Sequence, residues 1–288
     1  MKILYINVYM HAKNNNALLN YKNIDFTIIT HNNINLIDLA QFNCVYSPSL
    51  VIDVSKYPNT KFIFGPHFSV FPEKNKMDII SKSTNSVYIQ PSEWARDIWI
   101  NNPLCYNIRV ASLPFGVDTN KFMDIKNINE KNNVIVYFKR RNPNELKFLI
   151  TFLNEQKINF RIFNYLKKYD ENDYLNYLQN SKYGIWLGAH ESQGFALEEA
   201  LSCNVPLLVW NVRSMDQEYG SNYNNNYATS IPYWDYRCGE LFYNMDEFST
   251  TFHIFLSKIE IYKPREYILE NLSIDVCENK LINLINTL

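Results

Sequence analysis

Short apolar runs alternate along this chain with longer stretches of helical spacing. Runs at 2–8, 24–30, 44–46, 61–65 and 86–90, followed by the apolar stretch 107–113, predict strands in the first half. Between them, 17–21 and 34–40 carry helical patterns. A further helix opens at Ser92, a natural N-cap, with Trp94, Ile98 and Trp99 on one apolar side. The second half repeats the alternation, with strands at 134–138, 159–163, 183–187 and 206–210 and helices at 147–153, 169–178, 246–259, 265–272 and 275–285. Strands alternating with helices predict parallel sheets in an α/β fold. The asparagine-rich stretch 118–133 holds few apolar residues and reads as a linker, giving domains of 1–118 and 119–264. The tyrosine-rich region 219–236 is expected to be a surface loop, and Pro264 to interrupt helical pattern.

The segment 182–211, KYGIWLGAHESQGFALEEALSCNVPLLVWN, reads as strand, loop, helix, strand, a parallel βαβ unit. Its first loop carries Glu191, Ser192, Gln193 and Gly194, so a helix starts there with small and polar residues and outward-facing amides, an end that attracts phosphate. Within the helix, Ala196, Leu197, Ala200 and Leu201 gather on one side while Glu198 and Glu199 border the other about equally. Periodicity does not choose between the two acids. Both fit an ordinary solvated helix face, and either fits a ligand.

Two further places stand at predicted strand ends, where open α/β sheets present their ligand loops. His67 follows the strand 61–65 and is either a site residue or a ring packed among Phe68, Phe71 and Pro72. After the strand 134–138 come Lys139, Arg140 and Arg141, with Lys147 on the next helix, which is either an anion clamp or a charged, solvated turn.

The order Glu191-x7-Glu199, with Gly194, the aromatic Phe195 and the Cys-Asn-Val-Pro turn into a strand, closely resembles the nucleotide-sugar motif of GT-B retaining glycosyltransferases. That resemblance implies two Rossmann-like parallel-sheet domains facing across a cleft, with the C-terminal helix, about 265–288, crossing back to the first domain. It places Glu191 beside the donor sugar, Glu199 on the ribose hydroxyls, and the amides of Gly194, Phe195 and Ala196, flanked by Ser192 and Gln193, on the diphosphate. Arg140 or Arg141, with Lys147, holds the diphosphate in the same scheme, Tyr165 lies where the base passes, and His67 is on the acceptor side. The run Pro114-Phe115-Gly116-Val117-Asp118 resembles the family's Pro-x-Gly-Val-Asp exit from the first domain, with Gly116 turning the backbone near the donor. The first loop, 9–16, departs from the family in lacking glycine.

Composition narrows the partners. A hydrophobic fraction of 47% over 288 residues supplies cores for two domains, and a net charge of -1 provides no bulk field for nucleic acid or an anionic membrane. Phosphate recognition must therefore be local. Five scattered cysteines without Cys-x-x-Cys spacing read as free thiols of a reducing compartment. The N-terminal run is too brief and polar for a signal peptide, and no run reaches the roughly 20 apolar residues of a membrane span, so a cytoplasmic location is expected. No Asp-x-Asp and no metal-spaced His/Cys cluster occurs, so neither a metal nor another cofactor is expected.

By resemblance the expected activity is a metal-independent hexosyltransferase reaction, moving a sugar with retention from a nucleotide diphosphate sugar to a glycan or other hydroxyl acceptor. The alternatives are a GT-B scaffold or binding protein without turnover, and a nucleotide-sugar epimerase.

Overall fold

The computed structural model describes residues 1–81 and 85–288, without the side chains of 31–33. The chain forms two compact units, one of 1–116 with 274–288 and the other of 117–273.

The first unit is built on a six-stranded sheet of β1 (Lys2–Ile6), β2 (Asp25–Ile29), β3 (Cys44–Ser47), β4 (Phe62–Phe64), β5 (Ser86–Gln90) and β6 (Val110–Ser112), ordered β2-β1-β3-β4-β5-β6. Every pairing is parallel. Its helices are α1 (Ala12–Leu19), α2 (Lys74–Ile80) and α3 (Glu93–Ile100). The second unit holds β7 (Asn133–Lys139), α4 (Pro143–Glu155), β8 (Arg161–Asn164), α5 (Glu171–Gln179), β9 (Ser181–Gly188), α6 (Phe195–Ser202), β10 (Leu207–Trp210), β11 (Gly239–Phe242), α7 (Met245–Ser257) and α8 (Pro264–Asn271). Its sheet, also parallel, runs β11-β10-β9-β7-β8. The parallel sheets are those the alternating pattern predicts, and both units are Rossmann-like, as the resemblance implies. In each, strand order reverses beside the first strand, at β1/β3 and at β7/β9, where α/β sheets open a crevice beyond their carboxyl ends.

The interior strand β7 is buried on both faces. Val134, Val136 and Phe138 meet Leu149 and Leu153 of α4 and Phe248, Phe252 and Phe255 of α7 in an aromatic-rich core. On the opposite face Tyr137 stacks on Trp186 of β9, with ring centroids 4.3 Å apart. Lys139 is next on that face, at the strand's end, because side chains alternate along a strand.

Several elements differ from the sequence pattern. The first helix starts at Ala12, not 17, where the His11 ring accepts from the Lys13 amide at 3.3 Å. The stretch 34–40 makes only short 3-10 turns, His31–Leu36 and Leu39–Gln41. Neither α2 nor the four-residue edge strand β11 is expected from periodicity, since both are too short to show a period. Pro264 opens α8, at a position whose missing N–H costs nothing. Residues 228–231 are buried rather than on a surface loop: Asn211 accepts at Oδ1 from the Thr229 hydroxyl (2.9 Å) and the Ser230 amide (2.8 Å), and the Ser230 hydroxyl bonds the Gly188 carbonyl (2.9 Å).

The boundaries differ as well. Only α9 (Ile274–Asn286) joins the first unit, where Glu278 accepts from the Asn23 amide at 2.5 Å and the Ile285 carbonyl accepts from Lys61 at 2.9 Å. α8 belongs to the second unit, with Arg265 donating to the carbonyls of Thr119, Phe122 and Ser202. The stretch expected as a linker is folded onto that same unit. Lys131 is 1% exposed, and its ammonium bonds Asp124 at 2.7 Å and the Cys203 carbonyl at 2.9 Å.

Replacing Lys131 by Met keeps the volume but removes the charged donor from Asp124 Oδ1 and from that carbonyl, leaving Asp124 only the Asn204 amide at 2.9 Å. Urea unfolding is expected to show a loss of about 3 kcal/mol, as for a buried pair broken on one side. An unchanged midpoint would mean that the stretch is not pinned.

Candidate functional site

The loops at the β7/β9 switch point gather most of the motif residues. β7 and β9 pair with Lys139 opposite Gly188, so the cation at the end of one strand stands beside the loop that leaves the other. The Lys139 ammonium bonds both oxygens of Glu191, at 2.7 and 2.8 Å, with side chains 18% and 14% exposed. It also lies 4.6 Å from the centre of the Tyr165 ring, in the turn that follows β8.

The three successive cations diverge. Arg140 takes a left-handed conformation, φ 49°, which turns its half-exposed side chain to Glu218 at 2.8 Å. Arg141 then points inward and is 2% exposed. Its guanidinium makes a two-point pair with Glu145, both bonds at 2.8 Å, and donates to the carbonyls of Gly188 (3.2 Å) and Trp210 (2.8 Å). The expectation that either arginine could hold a diphosphate is corrected for Arg141, whose bonds tie α4 to the ends of β9 and β10. Lys147 stands exposed on α4.

The loop after β9 is held by the Glu191 amide, which donates to the Thr229 carbonyl at 3.0 Å. Ser192 is exposed, whereas Gln193 is buried and donates to both oxygens of Glu198, at 2.9 and 3.1 Å. Gly194 precedes α6 in the left-handed region, φ 91°, where a side chain would be strained. Its carbonyl accepts from the amides of Leu197 and Glu198, both at 3.0 Å. Among the described residues, the amides of Gly194, Phe195 and Ala196 have no protein acceptor, and no side chain caps the helix. The Ala196 carbonyl accepts from the buried Tyr174 hydroxyl at 2.6 Å, which fixes this first turn.

Glu198 and Glu199 are 1% and 3% exposed, so α6 is not a solvated helix. The structure gives the two acids different neighbours. Glu198 belongs to Gln193. Glu199 lies near Tyr169 and Tyr174, the half-buried and the buried ring at the start of α5. Tyr169 is raised to about 12, first by burial and then by Glu199 and Glu191, against a hydrogen bond with Tyr137. Both motif carboxylates thus act in the same direction on one tyrosine. Tyr137 is raised too, by burial first and then by Tyr169 and Glu191.

Sequence reasoning placed Lys139 in the basic cluster without giving it a role of its own, and passed over Tyr169, Glu218 and His190. His190 Nδ1 is 3.6 Å from Glu218, and burial lowers its pKa although Glu218 and Glu191 oppose this. Position after a predicted strand was the available signal for Lys139. Nothing local marks Tyr169 or Glu218, which arrive from other elements.

Two expected site residues lie in the first unit. Gly116 is outside the left-handed region, and a Cβ there would be 2.5 Å from the Ile274 Cα, so close packing against α9 requires glycine. His67 is half-buried after β4. Its Nε2 accepts from the His11 amide at 3.3 Å and is 3.3 Å from Asn14 Nδ2, and Tyr9 meets the ring edge to face at 5.5 Å. The glycine-free loop therefore comes to His67 through these residues.

Among the described residues, no group of His, Cys, Asp and Glu is arranged to hold a metal ion. The five cysteines are buried and unpaired as disulfides, and no described helix is long and apolar enough to cross a membrane.

Burial, with His11 second, lowers His67 from 6.5 to about 4. A histidine depressed on folding binds fewer protons than in the unfolded chain, so its contribution to stability is complete above pH 6.5 and is lost as pH falls toward 4. An NMR titration is expected to find the His67 ring neutral at pH 6, and a midpoint near 6.5 would contradict this packing.

No protein-family model matches the sequence, and no curated protein matches it. Among solved structures, the chain is similar to the N-terminal domain of trehalose-6-phosphate phosphatase from Candida albicans, with TM-score 0.60 and 10% identity, covering 99% of this chain and 96% of that one. It is also similar to sucrose-phosphate synthase from Thermosynechococcus elongatus, with TM-score 0.51 and 10% identity, covering 85% of this chain and 73% of that one. What is shared at such identities is the fold, two Rossmann-like parallel-sheet domains in one chain, the arrangement known as GT-B.

Proposed function

We propose that this protein is a glycosyltransferase that moves a sugar from a nucleotide diphosphate sugar to a hydroxyl acceptor, with retention and without a metal. The observation that carries the reading is Glu191, held by Lys139, standing beside a helix start whose amides at Gly194, Phe195 and Ala196 have no protein acceptor among the described residues, with Glu199 buried in that helix. Sucrose-phosphate synthase, which shares the fold, bears a name consistent with sugar transfer.

In this reading the amides of Gly194, Phe195 and Ala196 meet the diphosphate, aided by the N-terminal end of the α6 dipole. Arg140, half-exposed and paired only at one edge with Glu218, is the arginine that reaches it, and Lys147 adds a second cation. Cleavage of the sugar–phosphate bond leaves charge on the diphosphate, and donors already in place stabilise it without reorganising. Glu191, fixed by Lys139, orients the sugar. Glu199, kept from water beside Tyr169 and Tyr174, accepts from the ribose hydroxyls. Tyr165, exposed next to Lys139, offers a ring face to the ligand. His67, a neutral imidazole, serves the acceptor. Five buried free thiols fit a reducing, cytoplasmic setting.

Screening nucleoside diphosphates and their sugar conjugates for thermal stabilisation identifies the donor, since a ligand bound only to the folded form raises Tm. Nucleotide release with and without pooled glycan acceptors then tests transfer, and release that never depends on acceptor would overturn it. Glu199→Ala is expected to weaken donor binding by about ten- to a hundredfold in calorimetry, the loss of a charge-assisted hydrogen bond. Unchanged affinity would refute the ribose assignment. Turnover is expected to persist in EDTA, and a loss that magnesium or manganese restores would count against metal independence.

A further inference from the structure

Resting on the nucleotide-sugar reading above, we infer that Lys139 is a positioning residue that cancels the charge of Glu191, allowing a diphosphate to bind beside that carboxylate. The geometry sets the problem. A Cβ built on Gly194 would lie 3.7 Å from the Glu191 Cβ, so an anion held by the amides at the start of α6 has Glu191 as its neighbour. Two negative groups in a locus this poor in water repel strongly, because little solvent screens them. Glu191 is 14% exposed and Lys139 18%, so solvent ions do little of the compensation.

Lys139 supplies the compensation from within. Its ammonium meets both Glu191 oxygens, which leaves the carboxylate one orientation, and the Tyr165 ring backs the ammonium at 4.6 Å. The other two members of the basic run are not substitutes, since Arg140 is turned to Glu218 and Arg141 is buried on Glu145. Neutralised in place, Glu191 keeps its acceptor oxygens for a sugar while presenting little net charge to the phosphates.

Calorimetry with uridine, guanosine and adenosine diphosphates tests the inference. For whichever binds the wild type, Lys139→Met is expected to weaken affinity about tenfold or more, and adding Glu191→Gln is expected to bring it back to within about threefold. Lys139→Arg, which keeps the charge, is expected to stay within about threefold of wild type. If Lys139 merely braced the loop, the Met/Gln pair would lack the brace as well and would stay as weak as Lys139→Met. That result, an unaffected Lys139→Met, or a Lys139→Arg as weak as Lys139→Met would each overturn the compensating role while leaving the donor reading intact. A wild type that binds none of the three diphosphates removes both.

Discussion

The β7/β9 pairing is the constraint on which the rest of the second unit depends. Parallel hydrogen bonding brings the carboxyl ends of both strands to one level, with Lys139 opposite Gly188. The loop leaving β9 must then pass over the end of β7, and Glu191 meets the Lys139 ammonium there. Had the register slipped by one residue, Lys139 would enter the core face and Phe138 would take its place at the site.

Charge is managed locally in a chain whose net charge is only -1. Lys139, Arg140 and Arg141 could repel one another at a strand end, yet each has its own carboxylate: Glu191, Glu218 and Glu145. The left-handed backbone at Arg140 separates the second from the first and turns the third inward. Of the three cations only Arg141 is enclosed, and its guanidinium also satisfies two strand-end carbonyls, the condition under which a buried charge is tolerated. The tyrosines 137, 169 and 174, two of them buried, lie near the motif acids, where burial raises the cost of leaving a charge uncompensated.

The first unit solves a different problem without glycine. Its first loop carries Tyr9, His11 and Asn14 to the His67 ring, and the His11 amide donates to Nε2. A backbone donor at that nitrogen favours the neutral ring, in agreement with its lowered pKa.

The long periodic stretches were legible in the sequence: the strands around 2–8, 86–90 and 134–138, the helix of Phe248, Phe252 and Phe255, and the βαβ unit with its paired acids. Patterning of this kind reports burial averaged over many residues, and it survives small local exceptions. It could not report short elements such as α2 and β11, whose edges depend on neighbours. Nor could it choose between Glu198 and Glu199, or Arg140 and Arg141, because adjacent residues differ in fate only through contacts from elsewhere in the chain. Gln193 claims one glutamate and Tyr169 and Tyr174 the other, while Glu145, Gly188 and Trp210 claim one arginine and Glu218 the other. Residue types and spacing fixed which chemistry was present. Tertiary packing decided which charged group was enclosed, since the cost of burying it depends on partners that adjoin it only in the folded chain.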